Sequence, residues 1–487
     1  MNSLEQYFEK YRKNTIGYNT SFESPYGTQN LLYADWLASG RLYDPIEKKI
    51  QEDFGPFVAN THTETSETGV RMTQSYHHAQ QIIKKHVNAG PNDVLINAGP
   101  GMTTVINKLQ RIMGLKGCGM LKNKDCLREA EKPVVFVTHM EHHSNHTSWL
   151  ETVADVVILE PDNELLVDPK DLENKLQHYK DRKFKIGSFT ACSNVTGIGT
   201  PYYKLAKIMH QHGGLAFVDF AASAPYQDID MHPEDPEEKL DAIFFSPHKF
   251  LGGPGSAGVM VFDKRLYHTP VPDNPGGGTV DWTNRWNQYK LVDDIEARED
   301  GGTPGFLQVI KAALAIKLKE EMGTENIETR EKELVDMAFQ ELRQIPGLKI
   351  LANNVEDRLG VISFYHEDIH FNLLVKLLND RYGVQVRGGC ACAGTYGHYL
   401  LNVTYQDSKH ITDLINHGDL SQKPGWARLS LHPTMKDEDL HYVVNALKEI
   451  IANIKEWEKD YNYDKHLNEF IHKSFKPFNV EKWFEMQ

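Results

Sequence analysis

The feature that most constrains this chain is an alternation, between about residue 70 and residue 262, of short apolar runs with segments of helical period. VLINA (94–98), VVFVT (134–138), VADVVIL (153–159) and KIGSFTA (185–191) read as buried strands. LAFVDF (215–220), AIFFS (242–246) and GVMVF (258–262) continue the series. Most are continuous apolar runs, as strands covered on both faces require. Residues 72–89 place Met72, Tyr76, Ala79, Ile82, Ile83 and Val87 at helical spacing before Gly90-Pro91. A second helix, 202–212, stops at Gly213-Gly214, since glycine and proline end helices readily. Strands alternating with helices predict an α/β fold with a mainly parallel sheet covered on both faces.

Past residue 300 the pattern changes. Thr303-Pro304 reads as an N-cap followed by a first-turn proline, opening a helix to about Met322. A helix over 325–344, strands near 348–352 and 359–365, a helix over 371–381 and a strand VQVR (384–387) follow. The chain is therefore expected to carry an N-terminal arm (1–30), a large α/β domain (31–314), a smaller α+β domain (315–455) and a C-terminal extension (456–487). The extension holds Trp457, Tyr461, Tyr463, Phe470, Phe475, Phe478, Trp483 and Phe484 among charges, and is expected to pack on the body.

Composition serves to exclude. Lys and Arg number 53 against 67 Asp and Glu, a formal charge of −14, whereas a nucleic-acid binder presents a basic face. No apolar run approaches the roughly 18 residues a membrane helix needs. The opening MNSLEQYFEKYRKN is too polar for a signal-peptide core. Five cysteines, an odd number, make a poor disulfide framework. A cytoplasmic protein with no nucleic-acid or membrane partner is expected.

Three segments carry chemistry. SPHKFLGGPGSAG (246–258) delivers Ser246, His248 and Lys249 from a strand end into a glycine-rich loop. Desolvation there would lower the lysine's pKa and favour a neutral amine able to form a Schiff base. VDFAAS (218–223) ends a strand on Asp219, and an acid facing a ring nitrogen is the second requirement of a pyridoxal phosphate site. NAGPGMTTVIN (97–107) is a glycine-rich turn from strand to helix, where backbone N–H groups and the hydroxyl of Thr103 could cradle a phosphate. It lacks the Gly-Lys-Ser/Thr of a nucleotide-binding loop.

With these motifs the chain resembles the class V aminotransferase family of fold-type I pyridoxal phosphate enzymes, in particular its cysteine desulfurase and selenocysteine lyase branch, from about residue 30 to 450. The family's Ser-x-His-Lys stands as Ser246-Pro247-His248-Lys249. The resemblance makes Lys249 the Schiff-base lysine, with Ser246 and His248 on the phosphate. Glu141-His142-His143-Ser144-Asn145 matches Glu-His-His-x-Asn, which implies that His142 stacks on the cofactor ring. Ser193-Asn194-Val195-Thr196-Gly197 matches Ser-Asn-x-x-Gly, which places Asn194 against the ring hydroxyl or the substrate. Gly302-Thr303-Pro304 matches Gly-Thr-Pro, whose threonine reaches the neighbouring subunit's phosphate, so a homodimer with shared sites is implied. In WARLSLHPT (426–434), Arg428 matches the arginine that grips the substrate carboxylate. VRGGCACAG (386–394) matches Val-Arg-x-Gly-x-x-Cys at Val386, Arg387, Gly389 and Cys392, with Cys390 an additional thiol. In a desulfurase the acceptor cysteine sits on a flexible loop and attacks the substrate's sulfur as thiolate.

The resemblance thus implies an amino-acid substrate, sulfur removal from L-cysteine, and a possible sulfur-acceptor protein. Two departures bear on the substrate. Asp-x-Ala-Gln reads Asp219-Phe220-Ala221-Ala222, so Ser223 or a water must replace the glutamine's bond to the ring. Asn-x-His-Arg reads Asn60-Thr61-His62-Thr63, without the arginine. Competing readings are another class V activity (transamination, epimerisation or a different β-elimination), with the cysteines irrelevant, and a zinc-binding protein. The zinc reading rests on the ligand-like spacing of His139, His142, His143 and His146, and the cofactor motifs outweigh it.

Overall fold

The computed structural model describes residues 3–61, 63–117 and 128–486. Cys118, Cys126 and His62 lie outside the described residues.

The apolar runs become one seven-stranded sheet. Its strands are β1 (Asp93–Ala98), β2 (Val134–Thr138), β3 (Asp155–Leu159), β4 (Lys185–Thr190), β5 (Leu215–Asp219), β6 (Ala242–Phe245) and β7 (Gly258–Asp263). They lie in the order β1-β7-β6-β5-β4-β2-β3. All neighbours are parallel except β7, which runs antiparallel to both β1 and β6. Both faces are covered. Ile243 and Phe245 of β6 join a core with helix α1 (Glu67–His86), whereas Ala242 and Phe244 join a second core with α2 (Met102–Ile112) and Trp149 of α3 (His143–Leu150). This period-2 division explains why the strands read as unbroken apolar runs.

α1 starts earlier than its apolar period suggests, because Ser66 caps it by accepting from Gly69 N–H. α4 (Tyr202–Gln211) ends before Gly213 as expected. Thr303, by contrast, caps nothing. Phe306 N–H donates to Pro304 O, and helix α5 (Phe306–Met322) starts after Gly305, which offers no side-chain cap. α5 crosses the expected limit at 314/315: Val309–Ile316 supply residues to the core of the large sheet, and Leu318 and Met322 to another.

That other core surrounds a four-stranded antiparallel sheet. Its strands are β8 (Leu348–Ile350), β9 (Val361–His366), β10 (Arg387–Gly389) and β11 (Trp426–Ser430), ordered β8-β9-β11-β10. Helices α6 (Thr324–Leu342), α7 (Phe371–Tyr382) and α8 (Asp437–Trp457) cover it. The expected single strand 384–387 is divided. Val384–Gln385 pairs in parallel with Leu32–Tyr33, and the chain changes partner at Val386 so that Arg387 joins β11. Phe8 and Tyr11, within the expected arm, are fully buried in this core. In the extension, Tyr461–Asp464 and Glu469–His472 form a hairpin whose Phe470 ring lies 5.2 Å from that of His370.

Candidate active site

The carboxyl ends of β4, β5 and β6 stand in register, with Thr190 opposite Asp219 and Asp219 opposite Phe244. Loops leaving such ends are where open α/β sheets bind ligands. The antiparallel β7 brings a further loop to the same place: Gly258 pairs with Ala98, so the Gly99–Gly101 turn after β1 sits beside the 246–249 loop after β6. Between them lies a cavity of about 430 Å³.

One end of the cavity is built for an anion. Gly101 precedes α2, and Ser246 Oγ accepts from the N–H of Met102 at 2.9 Å. A Cβ at Gly101 would lie 2.9 Å from Ser246 Oγ and 3.6 Å from His248 Cδ2, so only glycine leaves this space open. Thr103 Oγ1 and Ser144 Oγ are 2.6 Å apart, joining the first turns of α2 and α3 at the rim. His248 also lines the cavity, and burial pushes its imidazole down to about 4.

The centre holds Lys249 and Asp219. Burial pushes the Lys249 amine down to about 8, although the Asp219 charge works against that. Asp219 is 4% exposed. Burial raises its carboxyl to about 6, against the Ala221 N–H that donates to Oδ1 at 2.8 Å. His142, the N-cap of α3, accepts from Ser144 N–H through Nδ1 at 3.1 Å, and burial followed by the Lys249 charge lowers it to about 3. It faces the cavity as a neutral ring. Its neighbour Glu141 does not line the cavity. Its Oε1 accepts from Thr138 Oγ1 and Thr190 N–H and its Oε2 from Asn145 Nδ2, tying the ends of β2 and β4 to α3.

The far side comes from the small sheet. Arg428 on β11 is 3% exposed; Nη1 donates to Asn194 O and Nη2 to Asp35 Oδ1, each at 3.0 Å. Asn194 Nδ2 donates to Ala391 O at 2.6 Å. His143 N–H donates to Cys392 O at 2.8 Å, and Gly394 N–H to His143 Nε2 at 3.0 Å. These bonds pin a turn in which Ala391 and Cys392 both take positive φ, +51° and +56°. Left-handed backbone is costly for both residues and clusters at functional sites. Cys392 is exposed and lines the cavity; Cys390 is half-buried and does not.

Lys249, Asp219, His142, Asn194, Thr103, Ser246, His248, Arg428 and Cys392 therefore share one cavity. Thr303 does not; it is exposed and outside it. Ala222 lines the cavity where the family has glutamine, and Ser223 Oγ, buried without a hydrogen-bond partner, is not among the lining atoms. The sequence reading missed Asp35, Thr190 and Cys192, of which Thr190 and Cys192 line the cavity. Burial pushes the Cys192 thiol up, so it is a poor nucleophile. Among the described residues no three His, Cys, Asp or Glu side chains group as metal ligands. Of the four histidines behind the competing zinc reading, His139 Nε2 pairs with Leu165 O and His146 Nδ1 with Thr395 Oγ1.

The residues fit pyridoxal 5'-phosphate. The glycine-lined helix start suits its phosphate, a desolvated lysine its aldehyde, and a buried acid its ring nitrogen. Asn194 Oδ1 and Arg428 Nε, buried at the cavity without partners, leave polar groups for a ligand to satisfy. Such a site on a mainly parallel seven-stranded sheet defines a pyridoxal phosphate-dependent enzyme of fold type I.

The chain belongs to the aminotransferase class V family, whose sequence pattern matches residues 32–443. It is 28% identical over 367 residues to a probable cysteine desulfurase of Halalkalibacterium halodurans, covering 74% of this chain and 84% of that protein. It is 27% identical over 427 residues to one of Staphylococcus aureus, covering 86% and 92%. The fold matches the apo cysteine desulfurase of Thermococcus onnurineus with a TM-score of 0.72 at 22% identity, covering 91% of this chain and 98% of that one. An Escherichia coli cysteine desulfurase matches at 0.70 and 20%, covering 93% and 99%.

Proposed function

We propose that the protein is a cysteine desulfurase, taking sulfur from L-cysteine to leave alanine and a persulfide on Cys392. The observation that carries this reading is that the exposed Cys392 lines the same cavity as Lys249, Asp219 and Arg428. Bound there, the cofactor supplies an electron sink for the substrate's α-carbon. Arg428 grips the α-carboxylate, and Asp219 holds a proton at the ring nitrogen. Lys249 takes the α-proton; its amine, held near 8, suits a base at neutral pH. The thiolate of Cys392 attacks the substrate sulfur: the S–S bond forms, the Cβ–S bond breaks, Cβ takes up the proton that left the Cys392 thiol, and Lys249 returns its proton to the α-carbon. The net change is L-cysteine plus Cys392 thiol to alanine plus Cys392 persulfide.

In this reading His142 stacks on the ring, and Asn194 contacts the ring hydroxyl or the substrate. Thr103, Ser246 and His248 hold the phosphate. Thr303 reaches the phosphate of a second copy in a homodimer, which its exposure outside its own cavity supports. The exposed persulfide passes to a sulfur-acceptor protein, and the enzyme works in the cytoplasm. The arm, large domain, small domain and extension are divided near residues 30, 314 and 455, with α5 spanning the second limit and Phe8 and Tyr11 of the arm packed into the small-domain core.

The test is turnover of L-cysteine by purified holoenzyme with dithiothreitol. Alanine and sulfide are expected in equal amounts. Cys392→Ala is expected to abolish alanine release while L-cysteine still perturbs the cofactor's absorbance; Cys390→Ala is expected to be milder. A variant lacking both thiols that keeps full activity, on L-cysteine or on sulfur-free amino acids, would replace this reading with an aminotransferase or lyase.

A further inference from the structure

We infer that Asp35 is a positioning residue that sets how many carboxylates the cavity accepts; the inference rests on the amino-acid reading of Arg428 above. Arg387 and Arg428 stand directly opposite each other on β10 and β11, an arrangement in which like charges repel. Asp35 joins them: Oδ1 accepts from Arg428 Nη2 at 3.0 Å, and Oδ2 from Arg387 Nε at 3.2 Å. Its backbone is fixed to both arginine-bearing segments. Ala34 N–H donates to Gln385 O at 2.9 Å, Ser430 N–H donates to Ala34 O at 2.8 Å, and Asp35 itself bridges to Ser430.

The donor accounting shows what this does. Arg428 uses Nη1 on Asn194 O and Nη2 on Asp35, and its buried Nε has no partner. Both arginines line the cavity, whereas Asp35 does not. Nη1 and Nη2 each keep a second N–H, so an incoming carboxylate meets unspent donors on a guanidinium whose plane is already fixed. Two guanidinium groups and one carboxylate leave a single positive charge, which balances one ligand carboxylate and not two. Arg387 is thereby kept from serving as a second anion site, and the cavity favours amino acids with an uncharged side chain over dicarboxylic ones.

The test measures equilibrium binding of two inert ligands, propionate and succinate, to the holoenzyme by calorimetry. Asp35→Asn is expected to weaken propionate and tighten succinate, moving the ratio of their dissociation constants about tenfold toward succinate. Asp35→Glu keeps the charge and is expected to keep the ratio. Arg387→Gln is expected to move the ratio the other way, and it reads the same balance should Asp35→Asn fold poorly. An unchanged ratio in Asp35→Asn or in Arg387→Gln, or an equal change in Asp35→Glu and Asp35→Asn, would overturn the assignment. Arg428→Lys tests the reading beneath it. If propionate binding is unchanged there, the carboxylate site and the role of Asp35 both fall; if it weakens while Asp35→Asn leaves the ratio alone, only Asp35 falls.

Discussion

Lys249 and Asp219 illustrate how enclosure tunes single residues. A Schiff base forms from the neutral amine, and desolvation brings the Lys249 amine from 10.5 down to about 8. The neutral fraction grows as pH rises through that value. Loading of cofactor onto stripped protein is therefore expected to accelerate between about pH 7 and 9 and then level off. The appearance of the lysine-linked chromophore follows it, and a midpoint near 10.5 would contradict the enclosed amine. Borohydride reduction is expected to fix the cofactor on Lys249 alone, and Lys249→Ala to lose the link while folding. In the proposed mechanism Asp219→Asn removes the acid that keeps the ring nitrogen protonated. Turnover is expected to fall by about 100-fold or more with a much smaller change in cofactor affinity, since the lost interaction grows as charge develops. Equal losses in both would recast Asp219 as a cofactor anchor.

At the scale of elements, the 246–253 loop is shaped by contacts too close for side chains. A Cβ on Gly253 would meet Pro247 O at 1.8 Å, and one on Gly40 would meet Phe250 O at 1.9 Å. Gly40 N–H also donates to His248 O at 2.9 Å, so the segment after Asp35 braces the lysine loop. Gly40→Ala is expected to destabilise the fold by about 2 kcal/mol and to weaken cofactor retention. Urea titration alongside cofactor absorbance measures both, and an alanine variant of full stability would mean that the loop yields easily. The same pairings explain what the sequence left unread here. The glycine-rich run advertised a loop, but its brace lies 209 residues away at Ser39, whose hydroxyl reaches His248 O, and local periodicity carries no trace of such a partner. The break at Val386 was equally silent, because a change of strand partner leaves the apolar pattern unaltered.

For the whole molecule, the N-terminal segment and the C-terminal hairpin tie the chain ends onto the small sheet. Tyr461 is 7% exposed, and its hydroxyl donates to Asp380 Oδ2 at 3.0 Å. Tyr461→Ala is expected to cost about 3 kcal/mol, read as a lower urea midpoint. A smaller loss would mark the hairpin as an appendage. The proposed homodimer is expected to sediment at twice the chain mass of 55.6 kDa. Thr303→Asp would then set a negative charge beside the partner's phosphate and is expected to weaken cofactor binding several-fold. A monomer that retains its cofactor fully would dismiss shared sites.

What the sequence determined by itself was the local chemistry: strand and helix periods, the strand-end positions of Asp219 and Lys249, and the glycine turn before Thr103. Each is a property of neighbouring residues, set by side-chain periodicity and backbone freedom. Tertiary structure alone decided the company they keep. β7 joins β1 to β6 although β1 and β7 lie far apart in the chain, and this brings the Gly99–Gly101 turn beside the lysine loop. Asp35 meets Arg387 and Arg428 across 352 and 393 residues, because an N-terminal strand completes pairings that only the folded small sheet presents. Thr303 read as a helix cap until Gly305 and Pro304 delayed the helix and left it facing outward. Motif spacing records what a residue can do; the strand order of the sheets decides which residues do it together.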